Sequence, residues 1–230
     1  MIGIVGAMDV EVAKLKEMLQ NIEVYEKAGM TFVKGELFGK DVVVVRSGVG
    51  KVNASICTQI LVDKFDVDYV INTGIAGSLH AEINIGDIVL SKDALQHDMD
   101  ATGFGYKVGV IPQMKESTFV ADERLVSIAK KCCEENITDI KAYVGRVVSG
   151  DQFISDKSKK QWLLDTFEGY CTEMEGAAIA QAAYLNNVPF LIIRAISDKA
   201  DDTATMDYPE FEALAIEHSV KLLCEMVKNI

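Results

Sequence analysis

Short apolar runs alternate with segments of helical periodicity along this chain of 230 residues. Residues 2–8 form a continuous apolar run of the kind found in strands buried on both faces, and Val12, Leu15 and Leu19 follow at helical spacing. A strand-like run is again followed by a helical pattern at Gly176, where an alanine-rich helix is predicted between two further apolar runs. Strands that alternate with helices predict an α/β fold around a mostly parallel, possibly mixed sheet.

The same patterns predict several elements with definite bounds. We expect a hairpin at 30–46, a strand at 142–149, a helix at 157–167 and a last helix that begins at Pro209. Residues 96–113 contain three glycines and a proline and are predicted to form a long loop. Loops of this length are frequently functional.

The composition is that of a single domain covering residues 1–230. Hydrophobic residues make up 49% of the chain, and no serine-rich or glycine-rich run could serve as a linker. The 23 basic and 35 acidic residues give a net charge of -12, which opposes binding to a phosphate backbone. We therefore expect one domain and no nucleic-acid partner.

Location and redox state are predicted from three further features. The first residues lack the basic and long apolar segments of a signal peptide. No apolar run reaches the roughly eighteen residues that are needed to cross a bilayer. The five cysteines are an odd number without a C-x-x-C pair, which indicates neither a disulfide framework nor a zinc site. These features predict a cytoplasmic protein that does not associate with membranes.

Acidic side chains follow two of the predicted strands. Glu173 and Glu175 come directly after one apolar run, and Arg194 and Asp198 come after the next. Since ligand sites of parallel α/β sheets lie at the carboxyl ends of the strands, these carboxylates are expected to share one edge. Clustered carboxylates cost free energy unless they bind hydroxyls, a cation or a proton. An acid–base site is the hypothesis, and stabilisation of the helix dipole is the alternative for Glu173.

Two more acids follow the first strand. Asp9 is placed to cap the first helix, and Glu11 lies in the first turn of that helix, where the dipole also favours a carboxylate. On the residues alone, catalysis and helix stabilisation are both open for Glu11. Phe153 follows another strand end, where it could stack on a flat heterocycle or pack in the core.

Several nucleotide and metal motifs are incomplete in the sequence. Residues 48–51 lack the further glycine and the Ser or Thr of a phosphate-binding loop, and residues 3–6 do not complete G-x-G-x-x-G. His80, His97 and His218 stand too far apart for a recognised metal motif. The segment that begins at His97 could chelate a cation or be a polar loop. We predict acid–base chemistry by carboxylates, with no metal and no cofactor.

Six segments together resemble the nucleoside phosphorylase and nucleosidase superfamily, and within it the 5'-methylthioadenosine/S-adenosylhomocysteine nucleosidases. In chain order they are residues 3–11, 47–51, 72–77, 149–153, 173–175 and 194–198. The resemblance implies a three-layer α/β/α sandwich with a central mixed, barrel-like β-sheet. It also implies hydrolysis of the N-ribosidic bond of methylthioadenosine and adenosylhomocysteine, and possibly of 5'-deoxyadenosine, which releases adenine in methionine salvage.

The resemblance assigns catalytic roles to two of the acids. Glu11 would be the general base for the attacking water, and Asp198, oriented by Ser197, would protonate N7 of adenine. Glu175 would bind the ribose hydroxyls and Phe153 would stack on the base. The other positions that the resemblance places against the substrate are Met8, Val49, Ile75, Ala76, Gly77, Ile154, Glu173, Met174, Arg194 and Tyr208.

The resemblance also implies a homodimer, in which a loop of the second subunit closes the alkylthio pocket. Ala101, Phe104 and Pro112 occupy the matching loop positions. One position departs from the family pattern, because Ile75 stands where many relatives have Ser. A hydroxyl contact is therefore not expected from that position, although the backbone of the two following residues remains available.

Three other functions compete with this assignment. A purine nucleoside phosphorylase of the same fold carries a phosphate-binding arginine after the first strand, where this chain has Asp9 and Glu11. Two carboxylates there would repel phosphate, which favours water as the nucleophile. An aminofutalosine or futalosine hydrolase would differ mainly in the loop near Phe104. A nucleoside-binding protein without catalysis would not need the three acids Glu11, Glu175 and Asp198.

Overall fold

Strands and helices alternate through most of the structure, as the sequence predicts. The computed structural model describes residues 1–201 and 204–230. Its strands are β1 (Ile2–Gly6), β2 (Gln20–Lys27), β3 (Met30–Leu37), β4 (Lys40–Arg46), β5 (Tyr69–Ser78), β6 (Ile88–Gln96), β7 (Thr118–Val120), β8 (Ala142–Ser149), β9 (Gly169–Glu173) and β10 (Phe190–Asp198). Its helices are α1 (Asp9–Glu17), α2 (Lys51–Phe65), α3 (Glu123–Asn136), α4 (Lys157–Phe167), α5 (Gly176–Leu185) and α6 (Ala204–Asn229), and a 3-10 turn covers Thr102–Phe104.

Five strands of the sheet close into a ring. Because β10 pairs with β5 as well as with β6, the ring runs from β5 through β10, β6, β8 and β9 back to β5. Beyond β5 the sheet continues through β1, β4, β3 and β2, and β7 adds to β6. The predicted central mixed, barrel-like sheet is confirmed.

The strand directions bring two sets of strand ends face to face. β1, β4, β5 and β10 are parallel along their pairings. β9 is antiparallel to β5 and pairs with it only at its end, where Gly77 lies opposite Thr172 and Ser78 opposite Cys171. The expectation that all the acids share one edge of a parallel sheet is therefore wrong. Glu173 arrives from the opposite direction to Asp198, and the two meet because the ends of β9 and β5 overlap.

The helices form the two outer layers of the predicted α/β/α arrangement. α1 and α3 pack against α6, which covers β10 and β5, and α2 packs against α5. The last helix begins at Ala204, five residues before the predicted start at Pro209. Within the described residues, every helix is too short or too polar to span a membrane.

Continuous apolar runs decide which strands are central. Every residue of β1 and β10 is buried, as expected for strands that are covered on both faces.

Polar caps fix where helices start between the strands. The Asp122 carboxylate accepts a hydrogen bond from Leu125 N–H at 2.9 Å at the start of α3, and Asp156 caps α4 in the same way. The resulting frame places the ends of β1, β5, β9 and β10 around one cavity.

Candidate active site

A cavity of about 450 Å³ opens where these four strands end. Thirteen of the predicted substrate and catalytic positions line it: Met8, Glu11, Val49, Ile75, Ala76, Gly77, Phe153, Glu173, Met174, Glu175, Ser197, Asp198 and Tyr208. Ile154 lies in a smaller recess that shares Phe153 and Asp198 with this cavity. The strand ends therefore bring together residues that are up to 200 positions apart in the sequence.

Glu11 is held at the floor of the cavity by backbone N–H groups. Its Oε2 accepts hydrogen bonds from Ala7 N at 2.7 Å and Met8 N at 2.9 Å, and its Oε1 accepts from Ile75 N at 3.3 Å. Burial raises the pKa of Glu11 above its ordinary value, although the charge of Arg194 and these hydrogen bonds oppose the rise. A carboxylate with a raised pKa is a better proton acceptor near neutral pH than a solvated one.

Gly74 lets Glu11 and Arg194 approach the same point of β5. A Cβ at this position would lie 2.6 Å from Glu11 Oε1 and 2.8 Å from Arg194 Nη1. Both contacts are shorter than a carbon atom can accept, so a side chain here would displace the Glu11 carboxylate or the Arg194 guanidinium. The glycine of the Asn72-Thr-Gly segment thus serves close packing against the site rather than a turn.

Glu173 forms a buried ion pair with Arg194. The guanidinium donates to the Glu173 carboxylate through Nε at 3.2 Å and through Nη2, and Nη2 also donates to Asn72 Oδ1 at 2.5 Å. The Ser149 hydroxyl donates to the same carboxylate. Burial alone would raise the pKa of Glu173, but the charge of Arg194 and these hydrogen bonds bring it below its ordinary value.

The position of Arg194 differs from the predicted one, which was in contact with the substrate. Its guanidinium lies behind Glu173, is fully buried, and is not part of the cavity lining. Because a buried cation must be paired, its carboxylate and amide partners define its position. Arg194 therefore holds Glu173 in place and lies outside the lining of the cavity in which its substrate contact was predicted.

Glu173 also caps the helix that follows it. Its Oε2 accepts hydrogen bonds from Glu175 N at 3.0 Å and Gly176 N at 2.8 Å, which are among the free N–H groups at the start of α5. The helix-stabilising alternative for Glu173 is thus realised alongside its place in the cavity wall. One carboxylate thus both caps α5 and forms part of the cavity wall.

Glu175 has a different environment from its neighbour. Its Oε1 accepts a hydrogen bond from Gly50 N at 2.8 Å, which joins the start of α2 to the start of α5. Burial and the nearby charge of Glu173 raise the pKa of Glu175 to about 7. A carboxyl whose pKa is raised in this way carries a proton closer to neutral pH than a solvated glutamate does, and it donates to sugar hydroxyls when protonated and accepts from them when charged.

The raised pKa of Glu175 predicts a pH-dependent stability. The stabilisation linked to its proton is complete below the ordinary pKa of 4.5 and is lost as the pH rises through about 7. From pH 5 to pH 8 we expect wild type to lose about 1–3 kcal/mol of unfolding free energy relative to Glu175→Gln. Urea denaturation of both proteins at four pH values measures this. Glu17→Gln, an exposed change on α1, is the control, and parallel pH curves for wild type and Glu175→Gln would contradict the prediction.

Asp198 is the last residue of β10, and both of its carboxyl oxygens accept hydrogen bonds. Oδ1 accepts a hydrogen bond from Ala200 N at 2.7 Å, and the Ser197 hydroxyl donates to Oδ2 at 2.9 Å. The Ser197 hydroxyl also lies 3.5 Å from the carbonyl oxygen of Ala76. These contacts fix the rotamer of Asp198, which is buried at the cavity wall. The predicted orienting position of Ser197 agrees with this geometry.

Two aromatic side chains and a methionine form an apolar wall. The rings of Phe153 and Tyr208 meet edge to face with centroids 6.1 Å apart, and Tyr208 OH lies 3.4 Å from the sulfur of Met8. Phe153 is 51% exposed, so one face of its ring is free to stack on a flat group.

The predicted partner loop lies away from this cavity. Ala101, Phe104 and Pro112 are not among the residues that line it, and Phe104 is 87% exposed. Within one chain, this loop therefore does not contribute to the lining of the cavity.

Sequence reasoning missed three residues of the site. Ala7 and Thr172 line the cavity, and Asn72 supports Arg194 from behind. Asn72 and Thr172 carry a usable signal, because each is a polar residue in a run that is otherwise apolar. Ala7 has no such signal.

Comparison with known proteins places the chain in a family. The family model of the phosphorylase superfamily matches residues 1–228. A 5'-methylthioadenosine/S-adenosylhomocysteine nucleosidase of Shewanella halifaxensis is 42% identical over 230 residues, which cover 100% of this chain and 99% of the relative.

Solved structures agree over the full length. The nucleosidase of Neisseria meningitidis in complex with methylthio-immucillin-A has a TM-score of 0.95 at 36% identity, covering 100% of this chain and 99% of that one. The nucleosidase of Colwellia psychrerythraea in complex with adenine has a TM-score of 0.94 at 42% identity, covering 98% and 93%. A futalosine hydrolase of Helicobacter pylori is also similar, with a TM-score of 0.94 at 33% identity and coverage of 100% and 97%. The chain therefore belongs to the phosphorylase superfamily and, within it, to the 5'-methylthioadenosine/S-adenosylhomocysteine nucleosidases.

Proposed function

We propose that this protein hydrolyses the N-ribosidic bond of 5'-methylthioadenosine and S-adenosylhomocysteine and releases adenine. The observation that carries the proposal is the convergence of Glu11, Glu175 and Asp198 with Phe153 around one cavity. An aromatic face, a sugar-binding carboxyl, an acid and a base are the parts that cleavage of a nucleoside requires.

Asp198 supplies the proton that makes adenine a leaving group. As the bond from C1' to N9 breaks, its electron pair moves into the purine ring, and a proton delivered to N7 neutralises that charge. Ser197 and the Ala200 N–H hold the Asp198 carboxyl at a fixed rotamer. A held acid does not have to be reoriented as the bond breaks, which lowers the barrier.

Glu11 takes the proton of the attacking water. Water adds to C1' on the face opposite to the departing base, and one of its protons passes to the Glu11 carboxylate. Three backbone N–H groups, of Ala7, Met8 and Ile75, fix this carboxylate, and burial keeps it basic. One carboxyl that gives a proton and one that accepts a proton resemble the pair in inverting glycoside hydrolases.

Water is favoured over phosphate by the charge of the cavity wall. The wall carries Glu11, Glu173, Glu175 and Asp198, and the cation nearest to them, Arg194, is already bound to Glu173. With Asp198 protonated as the acid and Glu173 paired with Arg194, the charge that remains to repel a phosphate dianion is that of the Glu11 carboxylate, with a partial contribution from Glu175. The acid after β1 therefore supports hydrolysis over phosphorolysis.

We further propose a homodimer in which Ala101, Phe104 and Pro112 of one subunit close the alkylthio pocket of the other. A phenylalanine that is 87% exposed at the tip of a glycine-containing loop supports this arrangement. Burial of this side chain against a second subunit would contribute favourable free energy to the dimer.

One assay separates these functions. Adenine release would be measured from methylthioadenosine, adenosylhomocysteine, 5'-deoxyadenosine and aminofutalosine, each with and without phosphate. We expect release from the first two at rates that phosphate does not change, with a free thioribose as the second product. A requirement for phosphate, with formation of a ribose 1-phosphate, would establish a phosphorylase instead. Cleavage of aminofutalosine alone would establish the hydrolase that the Helicobacter pylori relative represents.

A further inference from the structure

Three segments around the cavity are joined by a closed ring of hydrogen bonds. Lys51 Nζ donates to Asp98 Oδ1 at 2.6 Å, and Asp151 N donates to Asp98 Oδ2 at 2.9 Å. The ring closes because Lys51 N donates to Asp151 Oδ1 at 2.8 Å. Asp98 thus binds the side chain of one segment and the backbone of another, and each contact fixes a different part of the structure.

The ring is partly shielded from water. The side chains of Lys51 and Asp98 are each 17% exposed, and Lys51 Nζ makes a further hydrogen bond to Gln96 Oε1 at 2.9 Å. Burial would raise the pKa of Asp98, but the hydrogen bonds from Lys51 and Asp151 bring it below its ordinary value. At neutral pH the carboxylate is charged, and an ion pair of this burial is more strongly held than a solvated one.

The ring ties together the segment that binds Glu175 and the segment that carries Phe153. Gly50, the residue before Lys51, donates its N–H to Glu175 Oε1 at 2.8 Å. Phe153 comes two residues after Asp151, on the segment whose first residue, Gly150, donates to the carbonyl of Glu173 at 3.1 Å. At the start of α2, the N–H group of Gly50 therefore binds Glu175, and the next N–H group, of Lys51, binds Asp151 on the segment that carries Phe153.

Gly50 makes this connection possible. Its φ of 96° is accessible to glycine and strained for other residues, and a Cβ would lie 3.1 Å from Asp151 Oδ1. A side chain at residue 50 would therefore crowd Asp151 and strain the backbone where α2 meets the 150–153 segment.

We propose that Asp98 is a positioning residue for the nucleoside base, acting through Phe153. Asp98 does not line the cavity, so its effect must pass through the segments that it holds. This inference rests on the proposed function, because it takes Phe153 to be the surface on which adenine stacks. Stacking contributes equally to the bound substrate and to the transition state, so a misplaced Phe153 weakens binding without slowing the bound reaction.

Asp98→Asn tests this role. We expect KM for methylthioadenosine and Kd for adenine, the latter measured by calorimetry, to rise about tenfold, and kcat to change less than about twofold. If Asp98 acts through Phe153, the same change in a Phe153→Ala background should raise KM less than about twofold, because coupled residues are not additive. Lys51→Met breaks the same ion pair from its other side, keeps the Lys51 N–H, and should repeat the KM effect if Asp98→Asn does not fold.

Asp93→Asn is the matched control. Asp93 accepts from Arg146 Nε at 2.6 Å and Nη2 at 3.0 Å, a comparable pair of β6 and β8 that does not contact the cavity. Both Asp variants should lower Tm, and only Asp98→Asn should raise KM. Unchanged adenine binding in Asp98→Asn, a fall in kcat alone, or a full KM effect in the Phe153→Ala background would overturn the inference. A wild-type protein that neither binds adenine nor releases it would instead overturn the proposed function.

Discussion

Asp198→Asn is expected to reduce adenine release from methylthioadenosine about 10²–10⁴-fold at neutral pH, which is the usual contribution of a general acid. The amide has no proton to deliver to N7, so the purine would have to leave as an anion. Its oxygen can still accept the hydrogen bond from Ala200 N that Oδ1 accepts in wild type at 2.7 Å. The loss should therefore fall on kcat, with KM for methylthioadenosine changing much less. Steady-state kinetics by adenine release measures both values.

Asp87→Asn separates loss of the acid from loss of structure. Asp87 is also buried and accepts backbone hydrogen bonds from Asn84 N and Lys141 N, each at 2.8 Å, but it lies outside the cavity. We expect this variant to lose some thermal stability and to keep wild-type kcat. Near-normal turnover by a folded Asp198→Asn protein would refute the assignment of Asp198 as the acid.

Glu11→Gln is expected to lower kcat by a similar factor, because water is then no longer deprotonated as it attacks C1'. The wild-type rate should fall as the pH drops through the raised pKa of Glu11, since only the carboxylate accepts a proton. In the variant this acid limb should be absent. The pH dependence of kcat/KM for both proteins is the measurement.

The Glu11→Gln change also has a structural cost that must be measured separately. The glutamine oxygen can accept from Ala7 N and Met8 N, but its NH₂ group would then face Ile75 N–H, which is also a donor. A buried unpaired donor costs about 1–3 kcal/mol, so a lower Tm is expected. Rates must therefore be taken below the variant's unfolding range. A retained acid limb in a folded variant would show that another group is the base.

Elements with a strong local signal were predicted with their bounds. The strand at Ala142–Ser149 and the helix at Lys157–Phe167 have the predicted limits. Both are short and regular, and Asp156 marks the start of the helix by capping it. In such segments, side-chain period and capping chemistry agree with the tertiary structure.

Elements that depend on distant partners were predicted less well. β2, at Gln20–Lys27, was not predicted, because its residues are mostly polar and it is held by pairing with β3 rather than by burial. α6 begins five residues earlier than Pro209 indicates. Local sequence does not record a pairing that is supplied by another strand.

The candidate site shows the same difference between features that depend on local sequence and features that depend on distant partners. Apolar runs define the strands, and the acids Glu11, Glu173, Glu175 and Asp198 follow them, so the residue types at the strand ends can be read from the sequence. How these acids differ depends on the folded structure. Arg194 and the N–H groups of α5 lower the pKa of Glu173, whereas burial beside that charge raises the pKa of Glu175 to about 7. A carboxyl group's pKa depends on the dielectric and charges within a few ångströms, and the fold brings those neighbours from segments far apart in the chain.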